Sequence, residues 1–364
     1  MRIVLVTNDF PPQPGGIQHY LANLIDVMDG DALVFAPRSP KVTEGESMGA
    51  RVRVCRDRRR FMWPTARIRK WIISEASAFR PDAVLFGAPY PLPWMARRLG
   101  RELGVPTAVL CHGAEITVPS AIPVVRSLLR RSLRAADVLL AVSRYTARKV
   151  ERLTRREVLY LGSGVDAELF HPKKTNETAR YGSPVIGCVS RFVPRKGQQR
   201  LIRAVASLEK RDFSMRLLFV GVGRRLTSLQ RLAARLNVDA RFEVAVPFND
   251  LPGLYREMDI FCMPCRSRWG GLEIEGLGIV YLEAAASGLP VLAGVSGGAP
   301  ETVKPGETGF VAGSVRDIAE GLEMLLGDMD LAAEMGEAGR VFVKSEYSWS
   351  AVTRRLEQAL EKAR

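Results

Sequence analysis

Short apolar runs alternate with longer amphipathic stretches along most of the chain. An unbroken apolar run is typical of a strand buried on both faces of a parallel sheet, and the stretches between such runs have the spacing of helices that cover the sheet. In the first half this pattern predicts a first helix from about Gly16 to Met28 and strands at 2–6, 32–36, 51–55, 83–86, 107–111, 138–142 and 157–161. The alternation indicates an α/β fold with a parallel sheet.

The same alternation begins again at Val185. It predicts helices from about Gly197 to Leu208, up to Leu236 and near 251–258, and strands at 185–190, 216–220, 242–246, 259–264, 291–293 and 309–312. Between the two halves the composition turns polar from Lys173 to Pro184, which is typical of a linker. The sequence therefore predicts two Rossmann-like, doubly wound domains at 1–168 and 169–347, in which ligands bind beyond the carboxyl ends of the strands.

A glycine-rich loop follows the predicted strand at 259–264 and leads into a helix. It reads G-G-L-E-I-E-G-L-G-I-V-Y-L-E and places Glu283 eight residues after Glu275. If both lie on the helix, two turns bring them to about the same face, roughly 12 Å apart. Backbone N–H groups at a helix start favour a phosphate, although Glu275 could simply cap the helix. The N–H groups concerned belong to Gly276, Leu277, Gly278 and Ile279.

A second motif, V-S-R-F-V-P-R-K-G, follows the start of the second domain. Its Arg191 and Lys196 flank a predicted strand-to-helix turn. Two fixed cations at such a turn match a diphosphate, and the simpler alternative is a solvated basic helix start. Arg195 is a third cation there, and the sequence gives it no clear role.

Two features of the first domain also follow predicted strands. Gly15 and Gly16, in the loop F-P-P-Q-P-G-G-I-Q, allow a ligand to approach a helix N-terminus closely, or they form a tight turn. His112 comes directly after the strand at 107–111, where a binding cleft would begin, although a lone histidine there often serves only the structure. Both features are candidates for a ligand site.

Charge and cysteine content narrow the class of protein. The 364 residues are 47% hydrophobic and carry a net charge of +14, which implies an anionic partner: nucleic acid, an acidic membrane face or a phosphorylated substrate. Met1 leads directly into a predicted strand, and no run of about 18 apolar residues occurs, so we expect a cytoplasmic protein that is at most peripheral to a membrane. Five cysteines at irregular spacing suit a reducing compartment.

No metal site is predicted. Cys262 and Cys265 have C-x2-C spacing, but no second pair or nearby histidine completes a zinc site. The Asp-x-Asp pairs at 29–31 and 328–330 follow helices rather than apolar strands. We therefore expect a protein without a metal or other cofactor, in which Arg191 and Lys196 neutralise the diphosphate.

Two basic segments of the first domain contain aromatic or leucine side chains. The first, from Arg56 to Trp71, combines Phe61, Trp63 and Trp71 with the cations Arg58, Arg59, Arg60, Arg67, Arg69 and Lys70. The second follows Val124 and has arginines at 126, 130 and 134 beside leucines. Such segments bind nucleic acid or anionic lipid, or form an ordinary exposed helix. No nucleic-acid-binding motif accompanies them, so we expect peripheral membrane binding and no nucleic acid.

The stretch E-G-L-G-I-V-Y-L-E resembles the Glu-x7-Glu signature of retaining GT-B glycosyltransferases of family 4. With the opening T-N-D-F-P-P-Q-P-G-G-I-Q, the resemblance is strongest to the actinobacterial phosphatidylinositol monomannoside mannosyltransferases and spans essentially the whole chain. It implies two domains that face each other across a deep cleft, with the segment 348–364 returning to the first domain.

The resemblance also implies residue roles. Glu275 would hold the transferred sugar, Glu283 the ribose hydroxyls, and His112 a sugar hydroxyl from the first domain. Arg191 and Lys196 would bind the donor diphosphate. The glycine loop would lie against the diphosphate and the acceptor, and the segment from Val246 to Asp250 with its neighbours would contact the guanine, mostly through backbone groups. The residues expected on the acceptor side are Asn8, Asp9 and Gln18.

Together these inferences predict a retaining α-mannosyltransferase at the inner membrane face. It would transfer mannose from GDP-mannose to a phosphatidylinositol mannoside, an anionic glycolipid. One alternative is another family 4 hexosyltransferase that uses a GDP- or UDP-sugar to make a polysaccharide or a different glycolipid. A further alternative is a non-catalytic or nucleic-acid-binding protein on the same scaffold, against which the intact set of Arg191, Lys196, Glu275 and Glu283 argues.

Overall fold

The computed structural model describes residues 1–13, 15–39, 47–48, 50–173 and 182–363. The chain divides into two compact units, one of Met1–Gly164 with Trp349–Arg364 and one of Val165–Ser348. The division falls at 164/165, whereas the sequence placed it at 168/169. The polar stretch proposed as a linker lies largely outside the described residues.

The first unit is built on a sheet of eight strands in the order β3-β4-β2-β1-β5-β6-β7-β8, parallel throughout except for β3 against β4. The strands are β1 Ile3–Val6, β2 Ala32–Pro37, β3 Ser47–Met48, β4 Val52–Asp57, β5 Ala83–Phe86, β6 Thr107–Cys111, β7 Val138–Ala141 and β8 Leu159–Tyr160. The helices are α1 Gly16–Val27, α2 Ala66–Phe79, α3 Ala96–Leu103, α4 Ala114–Ser120, α5 Pro123–Leu133 and α6 Arg144–Thr154.

Burial on both faces explains the unbroken apolar runs of this sheet. Along β1, Ile3 and Leu5 belong to one core cluster, and Val4 and Val6 belong to another on the opposite face. Since successive side chains of a strand point to opposite faces, a strand covered by helices on both sides has no polar face. The sequence pattern predicted these strands for this reason.

The second unit has a fully parallel sheet in the order β11-β10-β9-β12-β13-β14. Its strands are β9 Val185–Val189, β10 Arg216–Val220, β11 Ala240–Glu243, β12 Ile260–Met263, β13 Val291–Gly294 and β14 Gly309–Ala312. Its helices are α7 Gln198–Glu209, α8 Leu226–Arg235, α9 Leu251–Glu257, α10 Ile279–Ala286, α11 Val315–Gly327 and α12 Met329–Glu346.

The last helix, α13 (Trp349–Glu361), packs in the first unit. Its buried side chains Val352, Leu356 and Leu360 recur at a spacing of four residues, as on one face of a helix, and join the core cluster that contains α1. The indole of Trp349 lies 5.5 Å from the ring centroid of Tyr20 on α1. The chain therefore crosses into the second unit once and returns once.

Two strand predictions need correction, and one strand was missed. The strand predicted at 242–246 is Ala240–Glu243, because Ala245 adopts a left-handed conformation with φ 57° and ends the extended run. The strand predicted at 157–161 is reduced to Leu159–Tyr160 at the edge of the sheet. The two-residue antiparallel strand Ser47–Met48 was not predicted, because a strand this short has no periodicity to detect.

The strand order places one topological switch point in each sheet. In the first, β1 lies between β2 and β5, and in the second, β9 lies between β10 and β12. At such a point the loops beyond two neighbouring strands diverge to opposite faces and leave a crevice for a ligand. The predicted site residues follow β1 and β6 in one unit and β9 and β12 in the other.

Candidate active site

In the second unit, the loop after β9 provides two cations that differ in exposure. Arg191 is exposed, and within the described residues its guanidinium has no ion-pair partner. Lys196 is buried at the end of the short 3-10 helix Pro194–Lys196. Gly197 follows with φ 79°, and a Cβ atom there would lie 2.1 Å from the carbonyl oxygen of Pro264. This close approach fixes the loop after β9 against the loop after β12.

The loop after β12 brings Glu275 to Lys196. The Lys196 Nζ atom lies 2.8 Å from Glu275 Oε2, and both side chains are buried. The backbone of Glu275 is held on both sides, since its N–H donates to Ser296 Oγ at 3.0 Å and its carbonyl oxygen accepts from the Gly298 N–H at 3.1 Å. The sequence prediction that these two motifs share a site is consistent with this contact.

The prediction that Glu275 lies on the helix was wrong. Helix α10 begins at Ile279, with Gly278 in a left-handed conformation at its N-cap, and no side chain caps it. Glu275 therefore belongs to the preceding loop, and its separation from Glu283 is not two helical turns. At Gly278, φ is 91° and an added Cβ would lie 2.7 Å from the ring of Tyr281, so glycine is required where the loop turns into the helix.

Arg195 has a defined partner that the sequence did not reveal. Its Nη1 atom donates to Glu275 Oε2, and its Nε lies 3.6 Å from Glu273 Oε1. The Arg195 side chain is only 14% exposed. Its backbone carbonyl oxygen also accepts from the Arg266 N–H at 2.8 Å. Arg195 thus links the two loops of the site through both its backbone and its side chain.

The two cations determine the charge state of Glu275. Burial alone would raise the pKa of this carboxyl, but the charges of Lys196 and Arg195 and their hydrogen bonds more than offset burial, so the pKa lies below its usual value. Glu275 is therefore ionised at neutral pH. It can accept hydrogen bonds from hydroxyl groups, as a sugar would donate.

Glu283 lies on α10 and is in a different electrostatic environment. It is buried and accepts a hydrogen bond of 2.7 Å from the hydroxyl of Tyr255 on α9. Burial raises the pKa of Glu283 to about 7, although the hydrogen bond from Tyr255 opposes this increase. No cation pairs with Glu283 among the described ion pairs. Tyr255 is a further residue that sequence reasoning missed.

The N-terminus of α10 leaves its backbone donors open. Within the described part of the chain, no hydrogen-bond acceptor is found for four N–H groups there. They belong to Gly276, Leu277, Gly278 and Ile279, as the sequence predicted. Such groups and the helix dipole favour an anion. The segment predicted to contact guanine, 246–250, follows β11 as a half-buried Val246 and the short 3-10 helix Phe248–Asp250.

In the first unit, helix α1 begins at Gly16, with Gly15 as its N-cap. The first turn offers open backbone N–H groups, as predicted. Within the described residues, the first N–H of this helix that donates to a backbone carbonyl is that of His19, so the N–H groups before it have no such partner. The Gln18 amide nitrogen donates to Asp9 Oδ1 at 2.9 Å, so these two residues form one polar group beyond β1. Burial raises the pKa of Asp9. The charge of His112 partly offsets this increase, and the charge of Glu115 adds to it.

Asn8, which was predicted on the acceptor side, has a structural role. Its amide nitrogen donates to the Met62 carbonyl oxygen at 3.1 Å, and its amide oxygen accepts from the Met62 N–H at 2.8 Å. Both ends of the side chain are used to fix the segment after β4. Asn8 therefore supports the loop after β1, and its placement on the acceptor side stays a prediction.

His112 connects the ends of two neighbouring strands. Its Nε2 atom lies 3.0 Å from the carbonyl oxygen of Gly87, which follows β5, and its ring stacks edge-on against Tyr20 at 5.5 Å. Glu115, which the sequence analysis missed, accepts from the backbone N–H groups of His112 and Gly113. The first turn of α4 therefore holds the backbone of His112, while the Gly87 carbonyl and the Tyr20 ring hold its imidazole.

The basic surface of the first unit differs in part from the prediction. Trp71 packs edge-to-face on Phe35 at 4.9 Å, against the core, so it is half-buried rather than exposed. Arg67 binds both oxygens of Asp57, at 2.8 and 2.9 Å, and Arg69 Nε lies 3.4 Å from Glu102. Arg67 stays exposed despite its ion pair, and the other exposed members of the predicted set are Arg58, Arg59, Arg60, Phe61, Trp63 and Lys70.

Helix α5 presents a second exposed surface that combines apolar and basic groups. Val124 is 71% exposed, and Ile122 and Leu128 are also exposed, beside Arg126 and Arg130. Trp94 packs here, since its indole N–H donates to the carbonyl oxygen of Leu128 at 3.2 Å. The leucines beside the arginines were noted in the sequence, whereas the exposure of Ile122 and Val124 was not predicted.

Two features are absent from the part of the chain that the structure describes, a metal-binding cluster and a membrane-spanning helix. Among the described residues, no cluster of three or more His, Cys, Asp or Glu side chains could hold a metal ion. Asp328, of the second Asp-x-Asp pair, caps α12 by accepting from the Leu331 N–H at 2.9 Å. Within the same residues, no helix is both long and apolar enough to span a membrane.

Comparisons with known proteins agree with this geometry. The model of Glycosyltransferase Family 4 matches residues 14–169, and that of Glycosyl transferases group 1 matches residues 171–342. A solved glycosyltransferase from Rickettsia africae superimposes with a TM-score of 0.79 at 17% identity, covering 100% of this chain and 98% of that one. The fold and the site at its switch point define a GT-B glycosyltransferase.

Two curated relatives align over nearly their full length. The GDP-mannose-dependent alpha-(1-6)-phosphatidylinositol monomannoside mannosyltransferase of Mycolicibacterium smegmatis is 40% identical over 377 residues, with 98% of each chain covered. The GDP-mannose-dependent monoacylated alpha-(1-6)-phosphatidylinositol monomannoside mannosyltransferase of Corynebacterium glutamicum is 38% identical, with 99% of this chain and 98% of the relative covered. The chain belongs to glycosyltransferase family 4, and the predicted resemblance is confirmed.

Proposed function

We propose that this enzyme is a retaining α-mannosyltransferase that transfers mannose from GDP-mannose to a phosphatidylinositol mannoside. The observation that supports this most directly is the contact of Lys196 with Glu275, which joins a diphosphate-binding cation to a sugar-binding carboxylate at one switch point. The full-length similarity to the two mannosyltransferases supports the choice of donor and acceptor.

The donor binds through the second domain. Arg191, Lys196 and the open N–H groups before α10 bind the diphosphate, and Glu275 accepts hydrogen bonds from mannose hydroxyls. Glu283 accepts from the ribose, for which its second carboxylate oxygen is available beside the Tyr255 hydroxyl. Charges placed in advance around the departing diphosphate stabilise the transition state more than the bound substrate.

The chemical step is a front-face substitution at the anomeric carbon of mannose. The bond from this carbon to the β-phosphate oxygen breaks, and an acceptor hydroxyl oxygen forms the new bond on the same face. The acceptor proton passes to the departing phosphate, so the products are GDP and the mannosylated lipid. No protein side chain serves as the base, and Arg191 and Lys196 replace a metal ion in balancing the charge of the diphosphate.

Incubating the purified enzyme with several sugar nucleotides tests the donor assignment. We expect GDP release from GDP-mannose and little release of nucleotide from UDP-glucose or UDP-N-acetylglucosamine. Addition of a phosphatidylinositol mannoside should accelerate turnover and give a lipid product that is heavier by one hexose. EDTA should leave the rate largely unchanged. A preference for a UDP-sugar would contradict the proposed donor, and loss of activity in EDTA that Mg²⁺ restores would contradict the metal-free mechanism.

The acceptor is a membrane lipid, and we propose that the first domain binds the inner face of the membrane. Exposed cations coincide with exposed apolar side chains at two places: with aromatic rings around Trp63 and with aliphatic side chains on α5. Cations attract anionic head groups, and exposed apolar side chains insert at the interface. The five free cysteines support a location in a reducing compartment.

Charge reversal tests the membrane proposal. We expect the quadruple variant Arg58→Glu, Arg59→Glu, Arg60→Glu and Lys70→Glu to co-sediment weakly with anionic vesicles, because each cation near such a surface contributes about 1 kcal/mol. The effect should shrink at high salt, where the Debye length is short. GDP affinity should not change, since the donor residues are untouched.

A matched control reverses four exposed cations of α7, α8 and the turn after α7. These are Arg203, Lys210, Arg231 and Arg235, which give the same change in net charge in the other domain. This control should still sediment with vesicles. If both variants sediment as the unaltered enzyme does, the region around Trp63 has no role in membrane binding. Substitution of Val124 and Leu128 by Asp tests the membrane binding of α5 separately.

A further inference from the structure

Side chains of alternating charge run through the loops of the donor site. In order of contact they are Lys196, Glu275, Arg195, Glu273 and Arg268. The Arg268 Nη1 atom lies 3.2 Å from Glu273 Oε2, and the Arg268 guanidinium lies 5.1 Å from the ring centroid of the exposed Trp269. The series therefore extends from the buried cation to the surface of the loop after β12.

One carboxylate oxygen of Glu275 is shared by two cations. Both Lys196 and Arg195 contact Oε2, and neither cation is more than 14% exposed. Two cations on one oxygen are more than a carboxylate needs for neutrality. This excess matters when an anionic diphosphate arrives, because the diphosphate competes with Glu275 for Lys196.

We infer that Arg195 is a positioning residue that holds Glu275 in place for the sugar when the donor diphosphate takes over Lys196. This inference rests on the proposed donor-site roles of Lys196 and Glu275. Arg195 is suited to the task because its Nε side is anchored by Glu273, so the guanidinium stays in place as Lys196 changes partner. A planar guanidinium can bind two carboxylates at once, which an ammonium on a flexible chain does poorly.

Within the described residues, Lys196 and Arg195 are the cations that contact Glu275. Two other ionisable groups, the Cys265 thiol and the Tyr281 hydroxyl, lie close enough for the charge of Glu275 to act on them. Burial raises the pKa of the Cys265 thiol and the Tyr281 hydroxyl, so both are neutral at physiological pH. Once the diphosphate binds Lys196, Arg195 is the cation that still keeps the buried carboxylate ionised.

The variant Arg195→Met tests the inference through a separation of two readouts. We expect kcat to fall roughly 10- to 100-fold, as for loss of a hydrogen bond to a charged group. GDP affinity should stay within about 3-fold, because GDP lacks the mannose that would contact Glu275. Arg195→Lys, which keeps the charge but bridges Glu273 and Glu275 poorly, should recover only part of the lost turnover. If Arg195→Met does not fold, the kcat and the GDP affinity of Arg195→Lys test the inference instead.

The pH profile supplies a signature that a purely structural role would not give. Without Arg195, the pKa of Glu275 rises, so the carboxylate is protonated at higher pH and the acid limb of kcat/KM moves upward. Arg211→Met is the matched control, since Arg211 makes a bidentate ion pair with Glu323 on the surface of the same domain. We expect the control to leave kcat, GDP affinity and the acid limb unchanged.

A double-variant cycle identifies the partner through which Arg195 acts. If Arg195 works through Glu275, then Arg195→Met added to Glu275→Gln should cause little further loss of kcat. Unchanged kcat in Arg195→Met overturns the inference. A fall in GDP affinity that matches the fall in turnover also overturns it, because Arg195 would then bind the diphosphate directly.

Failure of the proposed function is distinguishable from failure of this inference. If the unaltered enzyme does not use GDP-mannose, the proposed function fails, and Arg195 is assessed by thermal unfolding alone. Because the folded-state pKa of Glu275 is lowered, its stabilising contribution is present above the unfolded-state pKa and is lost as pH falls through the folded-state pKa. This contribution is measured as the difference between the Tm at neutral pH and the Tm at acidic pH. We expect Arg195→Met to reduce this difference and Arg211→Met to leave it unchanged. An unchanged difference in Arg195→Met overturns the inference.

Discussion

We expect Glu275→Gln to lower kcat for mannose transfer by about 10²- to 10³-fold, the loss found when one preorganised electrostatic contact to a transition state is removed. Glutamine has nearly the same shape, so the loop should keep its path, which is fixed by the backbone hydrogen bonds to Ser296 and Gly298. GDP affinity should be equal to or slightly tighter than that of the unaltered enzyme, because Lys196 no longer pairs with a carboxylate. The carboxylate therefore matters for the sugar and not for the nucleotide.

Steady-state kinetics and calorimetric titration with GDP measure the two quantities separately. Glu323→Gln is the control, because Glu323 is an ion-paired carboxylate on the surface of the same domain and should leave both quantities unchanged. If Glu275→Gln lost GDP affinity in proportion to kcat, the carboxylate would be maintaining the shape of the pocket. Turnover equal to that of the unaltered enzyme would remove Glu275 from the reaction.

Much of the fold was predictable because its determinants are local or periodic. Strands such as β1 and β5 are buried on both faces, and this favours apolar residues at every position. Loops that follow such strands lie at one edge of a parallel sheet, so motifs far apart in sequence, such as those of Lys196 and Glu275, were expected to meet. The structure joins these two residues directly.

The features that sequence reasoning missed depend on contacts between distant segments. Arg195 pairs with Glu275, 80 residues away, and its sequence neighbours give no sign of this. Tyr255 reaches Glu283 from another helix, and Asn8 binds the backbone of Met62. A side chain that stabilises the protein's own structure can be of the same residue type as one that binds a ligand. Only the three-dimensional contacts distinguish the two.

The helix boundary before Ile279 shows a different limit. An eight-residue spacing between two carboxylates fits two turns of helix, and the sequence alone favoured that interpretation. Gly278 instead forms the N-cap of α10 and adopts a φ that other residues rarely reach, so the chain turns there. Gly278 was noted as an open donor for an anion, but its position also determines where the helix starts.

We expect Lys196→Ala to lower both GDP affinity and turnover, unlike Glu275→Gln. The ammonium is the buried cation assigned to the diphosphate. Loss of such a contact should cost about 2–4 kcal/mol of transition-state stabilisation, which lowers kcat/KM roughly 30- to 1000-fold. Stability should also fall, because removal of one partner of a buried ion pair leaves the other less well compensated. Arg195 still pairs with Glu275, so the variant should remain folded with a lowered Tm.

Arg191→Ala separates the effect on binding from the effect on stability. Arg191 is exposed and has no ion-pair partner within the described residues, so its loss should weaken GDP binding and leave Tm unchanged. Lys304→Ala, which removes an exposed ion-paired lysine of the same domain, should leave GDP affinity and turnover unchanged. If Lys196→Ala bound GDP as tightly as the unaltered enzyme did, Lys196 would serve only as the counter-charge of Glu275, and the diphosphate would have to bind through Arg191 and the N–H groups before α10.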